Sequence, residues 1–213
     1  MVLVEANHVN SCKAEVVVVD FDDSFTFNIV EMLTKLSIKS KVINWKQLCH
    51  LDTLSLLNSD AYIFGPGPGH PDEYRDLFPL IKKLESEKKY FFGICLGHQL
   101  YWSYHNSLIK KSGPLHGVSE TISIKNTFIE SYGIKDEIEV QFYNSLKVFN
   151  FPKFDNYSYL IGSSNDLIAS SSALVCTYQF HPESIGTSCP ERLFQPIVDF
   201  LYNRTDGKGN LPT

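Results

Sequence analysis

The chain has 213 residues, 43% hydrophobic and 20% charged, with a formal net charge of −5. That is an ordinary globular composition, long enough for one domain with a sizeable core. The acidic balance argues against nucleic acid as the main partner, and no apolar run approaches the roughly 18 residues needed to cross a membrane.

Met1 to Lys13 lacks the apolar centre of a signal peptide, and the expected location is cytoplasmic. The five cysteines are Cys12, Cys49, Cys95, Cys176 and Cys189. An odd count without C-x-x-C spacing indicates neither a disulfide framework nor a zinc site, and fits a reducing compartment. No cofactor is indicated: His98 and His116 lack ligand-like neighbours at a usable spacing.

In chain order, Glu15–Asp20 is a β-branched run that predicts a fully buried strand of a parallel sheet. Phe25, Ile29, Met32, Leu33 and Leu36 follow at helical spacing, with Asp22, Asp23 or Ser24 available as cap. Lys41 to Asn44 predicts a second strand and Ala61 to Phe64 a third, stopped by Gly65-Pro-Gly-Pro-Gly69. Leu77, Leu80, Ile81 and Leu84 predict a helix, and Tyr90 to Ile94 the next strand. Strand and helix alternate, the pattern of an α/β fold with an open, mostly parallel sheet.

Four short runs come next: Glu120–Ile124, Glu139–Phe142, Leu146–Phe149 and Tyr157–Ile161. They predict antiparallel ribbons attached to the main sheet. Ala173 to Phe180 predicts another long strand, and Leu193, Phe194, Ile197, Val198 and Leu201 a last amphipathic helix. One domain over residues 15–204 is expected, with an N-terminal extension at 1–14 and a flexible tail at 205–213.

Three stretches carry chemistry. Gly93-Ile-Cys-Leu-Gly97 ends a predicted strand and opens a predicted helix, the setting of a nucleophile elbow with Cys95 in place of serine. The glycines allow a tight turn, and a helix N-terminus favours thiolate. The alternative is a buried structural cysteine between packing glycines. A base is then needed. There are seven histidines, so the presence of one proves little. His181 stands out because it follows a strand in Gln179-Phe-His-Pro-Glu-Ser184, at the end of an open sheet where ligands bind. Glu183, two residues on, can orient the imidazole. The third stretch, Gly65 to Gly69, is a stiff loop with exposed glycine N–H groups that can hold an oxyanion, or else simply a rigid turn.

Together these stretches resemble the class I (triad) glutamine amidotransferases, in order and spacing, over roughly Val16 to Leu201. The resemblance implies a flavodoxin-like α/β fold and cleavage of glutamine to glutamate and ammonia through a γ-glutamyl thioester. It makes Cys95 the nucleophile, His181 the base and later acid, and Glu183 its orienter. It assigns substrate contacts to Gly67, Pro68 and Gly69, to Leu96 and Gln99, and to Ser145 and Leu146 of Tyr143-Asn-Ser-Leu146. Gly67 and Leu96 would supply the oxyanion hole through their backbone.

Asp20-Phe-Asp-Asp-Ser-Phe-Thr-Phe-Asn28 and Leu115-His-Gly117 are similar to the amidotransferase component of anthranilate synthase and aminodeoxychorismate synthase. That implies L-glutamine as the substrate and, as partner, a separate chorismate-binding synthase subunit; it implies no nucleic acid and no membrane. Any magnesium would belong to the partner. Four features depart from the pattern: Phe21 where asparagine is usual, Asn144 where histidine is common, bulky Tyr101 and Trp102 after the nucleophile motif, read as core packing, and residues 1 to 14, which have no clear counterpart. The competing expectations are an amidotransferase or γ-glutamyl hydrolase with another acceptor, and a catalytically silent interaction module, against which the intact triad speaks.

Overall fold

The computed structural model describes residues 15–49, 58–115 and 117–205. Among these, one sheet is built from seven strands: β1 (Glu15–Asp20), β2 (Lys39–Asn44), β3 (Ala61–Phe64), β4 (Tyr90–Ile94), β9 (Ser158–Ile161), β10 (Leu167–Ser171) and β11 (Val175–Tyr178). Their order across the sheet is β2-β1-β3-β4-β11-β10-β9. The first four and β11 run parallel. Strands β10 and β9 close one edge antiparallel. The open, mostly parallel α/β sheet matches the expected class.

Alternation along the strands explains the two core layers. Val16 and Val18 join Ile29 and Leu33 of helix α1 (Thr26–Lys35) and Ile197 of the last helix on one face. Val17 and Val19 face the opposite way, toward Leu80, Ile81, Leu100 and Trp102 of two further helices. Each strand is therefore apolar on both sides, which is why β1, β3 and β4 read as continuous apolar runs. Burying one such side chain contributes roughly 1.5–3 kcal/mol.

Several expectations need correction. Helix α1 starts at Thr26, with Phe25 at the cap position and no side-chain cap bond. Asp23 instead accepts the Phe25 amide at 2.8 Å, and Asp20 accepts the Thr26 hydroxyl at 2.8 Å. The carboxylates organise the turn before the helix and do not cap it. The middle strands divide. Strand β6 (Val118–Ser123) pairs with β7 (Glu137–Phe142), and β5 (Leu108–Lys111) with β8 (Leu146–Phe149), as two separate ribbons. Strand β9 joins the main sheet instead, through β10, which the apolar pattern did not announce. Its Ser170 is buried because the hydroxyl bonds Thr177 at 2.8 Å.

After β2 comes the short helix α2 (Trp45–Leu48). Helix α3 (Phe78–Ser86) precedes β4, and α4 (Leu96–Tyr104) follows it. The expected last helix is two, α5 (Pro190–Leu193) and α6 (Gln195–Thr205), interrupted at Phe194 just ahead of Pro196. Tyr101 and Trp102 are core residues, as expected. The Trp102 indole donates to Thr177 at 3.3 Å, and the Tyr101 hydroxyl lies 2.6 Å from that of Tyr157. The expected extension at 1–14, the tail beyond Thr205 and His116 lie outside the described residues.

Parallel pairing of β3, β4 and β11 sets Phe64 beside Gly93, and Ile94 beside Tyr178. The loops that follow these strands therefore emerge side by side. They are the Gly-Pro loop, the Cys95 turn and the Gln179–Ser184 segment.

Candidate active site

Cys95 joins β4 to α4, as the helix's N-cap residue, with φ 51° and ψ −100°, a conformation that a non-glycine residue adopts only under strain. Its amide is held by the Tyr178 carbonyl at 2.9 Å, so β11 fixes the turn. The flanking glycines are steric requirements. A Cβ on Gly97 would run into the Phe64 carbonyl, and one on Gly93 would sit 2.9 Å from the Gly97 carbonyl carbon. The close approach of β3, β4 and the helix is what turns the sulfur out of the sheet.

His181 arrives from the adjacent strand. Its Nδ1 lies 2.7 Å from Glu183 Oε1, with both side chains buried. A carboxylate there selects the tautomer with hydrogen on Nδ1 and leaves Nε2 free. Nε2 is buried without a nitrogen or oxygen partner among the described residues. Burial works against charge on this ring, but Glu183 and then Cys95 outweigh it, and the imidazole is held well above its usual pKa. The main chain is pinned as well: His181 N–H donates to Gln141 O at 2.9 Å, and the Thr187 hydroxyl donates to His181 O at 2.7 Å. Phe25 and Tyr143 enclose the ring, with centroids 5.0 and 4.9 Å away.

The Gly-Pro loop lies against the start of α4. Gly67 has no room for a side chain: a Cβ would meet Phe21 Cβ at 2.5 Å and Leu96 Cδ2 at 2.6 Å. Gly67 and Leu96 are thus neighbours. Leu96 N–H opens a helix and has no intrahelical acceptor, while Gly67 sits between two prolines that donate nothing. The loop is braced by Tyr74 donating to Pro68 O at 2.9 Å. Gly69 takes φ 79°, and beyond it the His70 amide is accepted by Glu73 at 2.7 Å.

The Tyr143–Leu146 segment enters from the β5–β8 ribbon. Ser145 O and Asn144 O accept the amides of Ser112 and Leu115 at 3.0 and 2.8 Å. Leu146 O accepts from Gln99 at 3.1 Å and from buried Asn144 at 2.8 Å. The candidate site residues therefore lie on these loops, at the start of β8 and in the first turns of α4.

Three neighbours of the site were not foreseen. Phe25 and Tyr143 flank His181 through tertiary approach that no local pattern announces. Gln179 directs its carboxamide nitrogen at Cys95 Sγ, 3.8 Å away. A signal existed there, since residues two apart in an extended chain share a face and Gln179 stands two before His181. His98 lies elsewhere, buried between Thr177 and Leu167 O at 2.9 and 3.2 Å. Burial lowers its pKa to about 3 and keeps it neutral.

Residues 17–200 match the family described as glutamine amidotransferase class-I. A protein of Schizosaccharomyces pombe named as an aminodeoxychorismate synthase is 32% identical over 200 residues, which are 88% of this chain and 26% of that protein. Anthranilate synthase component 2 of Haemophilus influenzae is 31% identical over 200 residues, covering 90% of this chain and 100% of the relative. The protein of the same name from Buchnera aphidicola is 30% identical, covering 91% and 100%. The crystal structure of a GMP synthase component from Thermoplasma acidophilum shares the fold at a TM-score of 0.76 and 19% identity, over 92% of this chain and 98% of that one. The chain thus spans about a quarter of the yeast relative and the whole of the two bacterial ones. With the family match running from β1 into the last helix, this chain belongs to the class I glutamine amidotransferases.

Proposed function

We propose that the chain is the glutaminase subunit of a chorismate-aminating synthase. It hydrolyses L-glutamine and passes the ammonia to a separate chorismate-binding subunit that makes anthranilate or 4-amino-4-deoxychorismate. The observation that carries the catalytic half is the buried 2.7 Å bond between His181 and Glu183, set behind Cys95 at a strained elbow. The partner half rests on the relatives, which are named for those two synthases.

In this reading His181 accepts the thiol proton and the sulfur attacks the carboxamide carbon. The carbon–nitrogen bond then breaks, His181 returns the proton to the departing ammonia, and a γ-glutamyl thioester remains. Water, deprotonated by the same imidazole, attacks the thioester and releases glutamate and the thiol. Glu183 holds the ring and favours its charged form. The N–H groups of Gly67 and Leu96 stabilise the oxyanion, each donor worth roughly 10²–10³ in rate. The adjacency of these two residues supports the assignment. Gln99 contacts the substrate carboxamide, the backbone of Ser145 and Leu146 holds its α-groups, and Pro68 and Gly69 complete the cradle.

The amidotransferase domain in this reading is residues 15–204, acting in the cytoplasm. Cys49, Cys95, Cys176 and Cys189 are all free thiols, in keeping with a reducing compartment.

A glutamine-analogue electrophile tests the reading. It should label Cys95 alone, and glutamine should protect against labelling. No labelling of the folded protein would favour a silent module. Faster turnover of γ-glutamyl peptides than of glutamine would favour a hydrolase.

A further inference from the structure

The sulfur has a neighbour outside the triad. Gln179 is fully buried at the end of β11, with Nε2 3.8 Å from Cys95 Sγ. The groups behind it fix which way its carboxamide faces. The Leu146 carbonyl can only accept, so Gln99 must present its NH₂ there, at 3.1 Å. The same nitrogen reaches Gln179 Oε1 at 3.1 Å. Gln179 must therefore offer oxygen to Gln99 and nitrogen to the sulfur. Asn144 holds the far end of the chain by donating to the same carbonyl at 2.8 Å.

We propose that Gln179 is a hydrogen-bond donor to the Cys95 thiolate, and that Gln99 is the positioning residue that aims it. A neutral thiol is a weak acceptor, so this donor matters when the sulfur carries charge. The chain of contacts runs from Leu146, in the segment assigned to the glutamine α-groups, to the nucleophile. Substrate bound along that segment steadies the Leu146 carbonyl and, through Gln99 and Gln179, favours ionised sulfur. Both hydrogens of Gln99 Nε2 are committed inward. Only its Oε1 remains for a ligand, so Gln99 meets the substrate as an acceptor of the carboxamide N–H. The inference rests on the reading of Cys95 as nucleophile.

The test is the pH dependence of Cys95 alkylation by iodoacetamide without glutamine, read on the Cys95 peptide by mass spectrometry. Gln179→Leu keeps the volume and removes the donor; Gln99→Leu keeps Gln179 and removes its aim. Both should move the midpoint upward by about 0.5–1 pH unit, with roughly three- to tenfold slower alkylation below it, because the charged form loses a hydrogen bond. Midpoints unchanged in both variants, with wild-type melting, overturn the proposal. If either variant does not fold, wild-type protein labelled with ¹⁵N in glutamine side chains serves instead. The Gln179 amide should shift with the Cys95 titration and lose that response in Cys95→Ser; an amide indifferent to the titration overturns the proposal. Glutamate release by the wild type is scored separately. An active wild type with unmoved midpoints removes the donor alone, whereas an inactive wild type with moved midpoints removes the glutaminase reading and leaves the donor standing.

Discussion

His181 Nδ1 and Glu183 Oε1 lie 2.7 Å apart with both side chains almost wholly buried. Two residues apart on a chain pinned at Gln141 and Thr187, they form a fixed unit, proposed above to serve Cys95. His181→Ala should lower kcat by roughly 10²–10⁴, the range of general acid–base catalysis. Glu183→Gln keeps a hydrogen bond but loses the charge, and should cost less than His181→Ala while still lowering kcat measurably. Steady-state glutamate release measures both.

His181 and His98, both buried, should leave opposite marks on stability. His181 has a raised pKa in the folded state. Its contribution is complete below the unfolded value near 6.5 and is lost as pH rises through the folded value. The melting difference between wild type and Glu183→Gln should therefore be larger at pH 6 than at pH 9. His98 has a pKa lowered to about 3. The unfolded chain binds that proton first, so stability falls by about 1.4 kcal/mol per pH unit as pH drops below 6.5 toward 3. His98→Gln should flatten that acid limb in urea unfolding series.

Gly67 is expected to be irreplaceable for rate before it is for folding. Alanine there meets Phe21 and Leu96 and pushes the loop away from α4. Gly67→Ala should reduce kcat by about 10²–10³, as for loss of one oxyanion donor, with little change in circular dichroism. Gly97→Ala should behave differently. Its methyl meets the Phe64 backbone, which has no flexible end to move, so the variant should fail to accumulate as folded protein.

Trp102 is wholly buried among Tyr101, Phe154 and Tyr159, and its indole reaches Thr177. Trp102→Ala should cost about 3–5 kcal/mol in denaturant unfolding, as large core truncations do.

The sequence was most legible where burial is two-sided. Strands β1, β3 and β4 have the bounds of their apolar runs because a parallel strand between helices tolerates little else. Strand β10 escaped because its buried serine is satisfied across the sheet: Ser170 bonds Thr177 of β11, which also bonds His98 and Trp102. Strand β5 escaped because only two of its four residues are apolar and it lies at the surface. At the candidate site, Cys95, His181 and Glu183 sit in local motifs and could be read from them. The supporting residues Phe25 and Tyr143 come from separate segments, and only folding brings both against His181, whereas Gln179 lies within the His181 segment itself and contacts Cys95.

In the proposed mechanism Cys95 performs the attack on glutamine. Glutamate release by purified Cys95→Ala, assayed beside wild type with the synthase partner present, measures it most directly. Release should fall to the uncatalysed background with the fold and melting temperature retained. Release at the wild-type rate from that variant would contradict it.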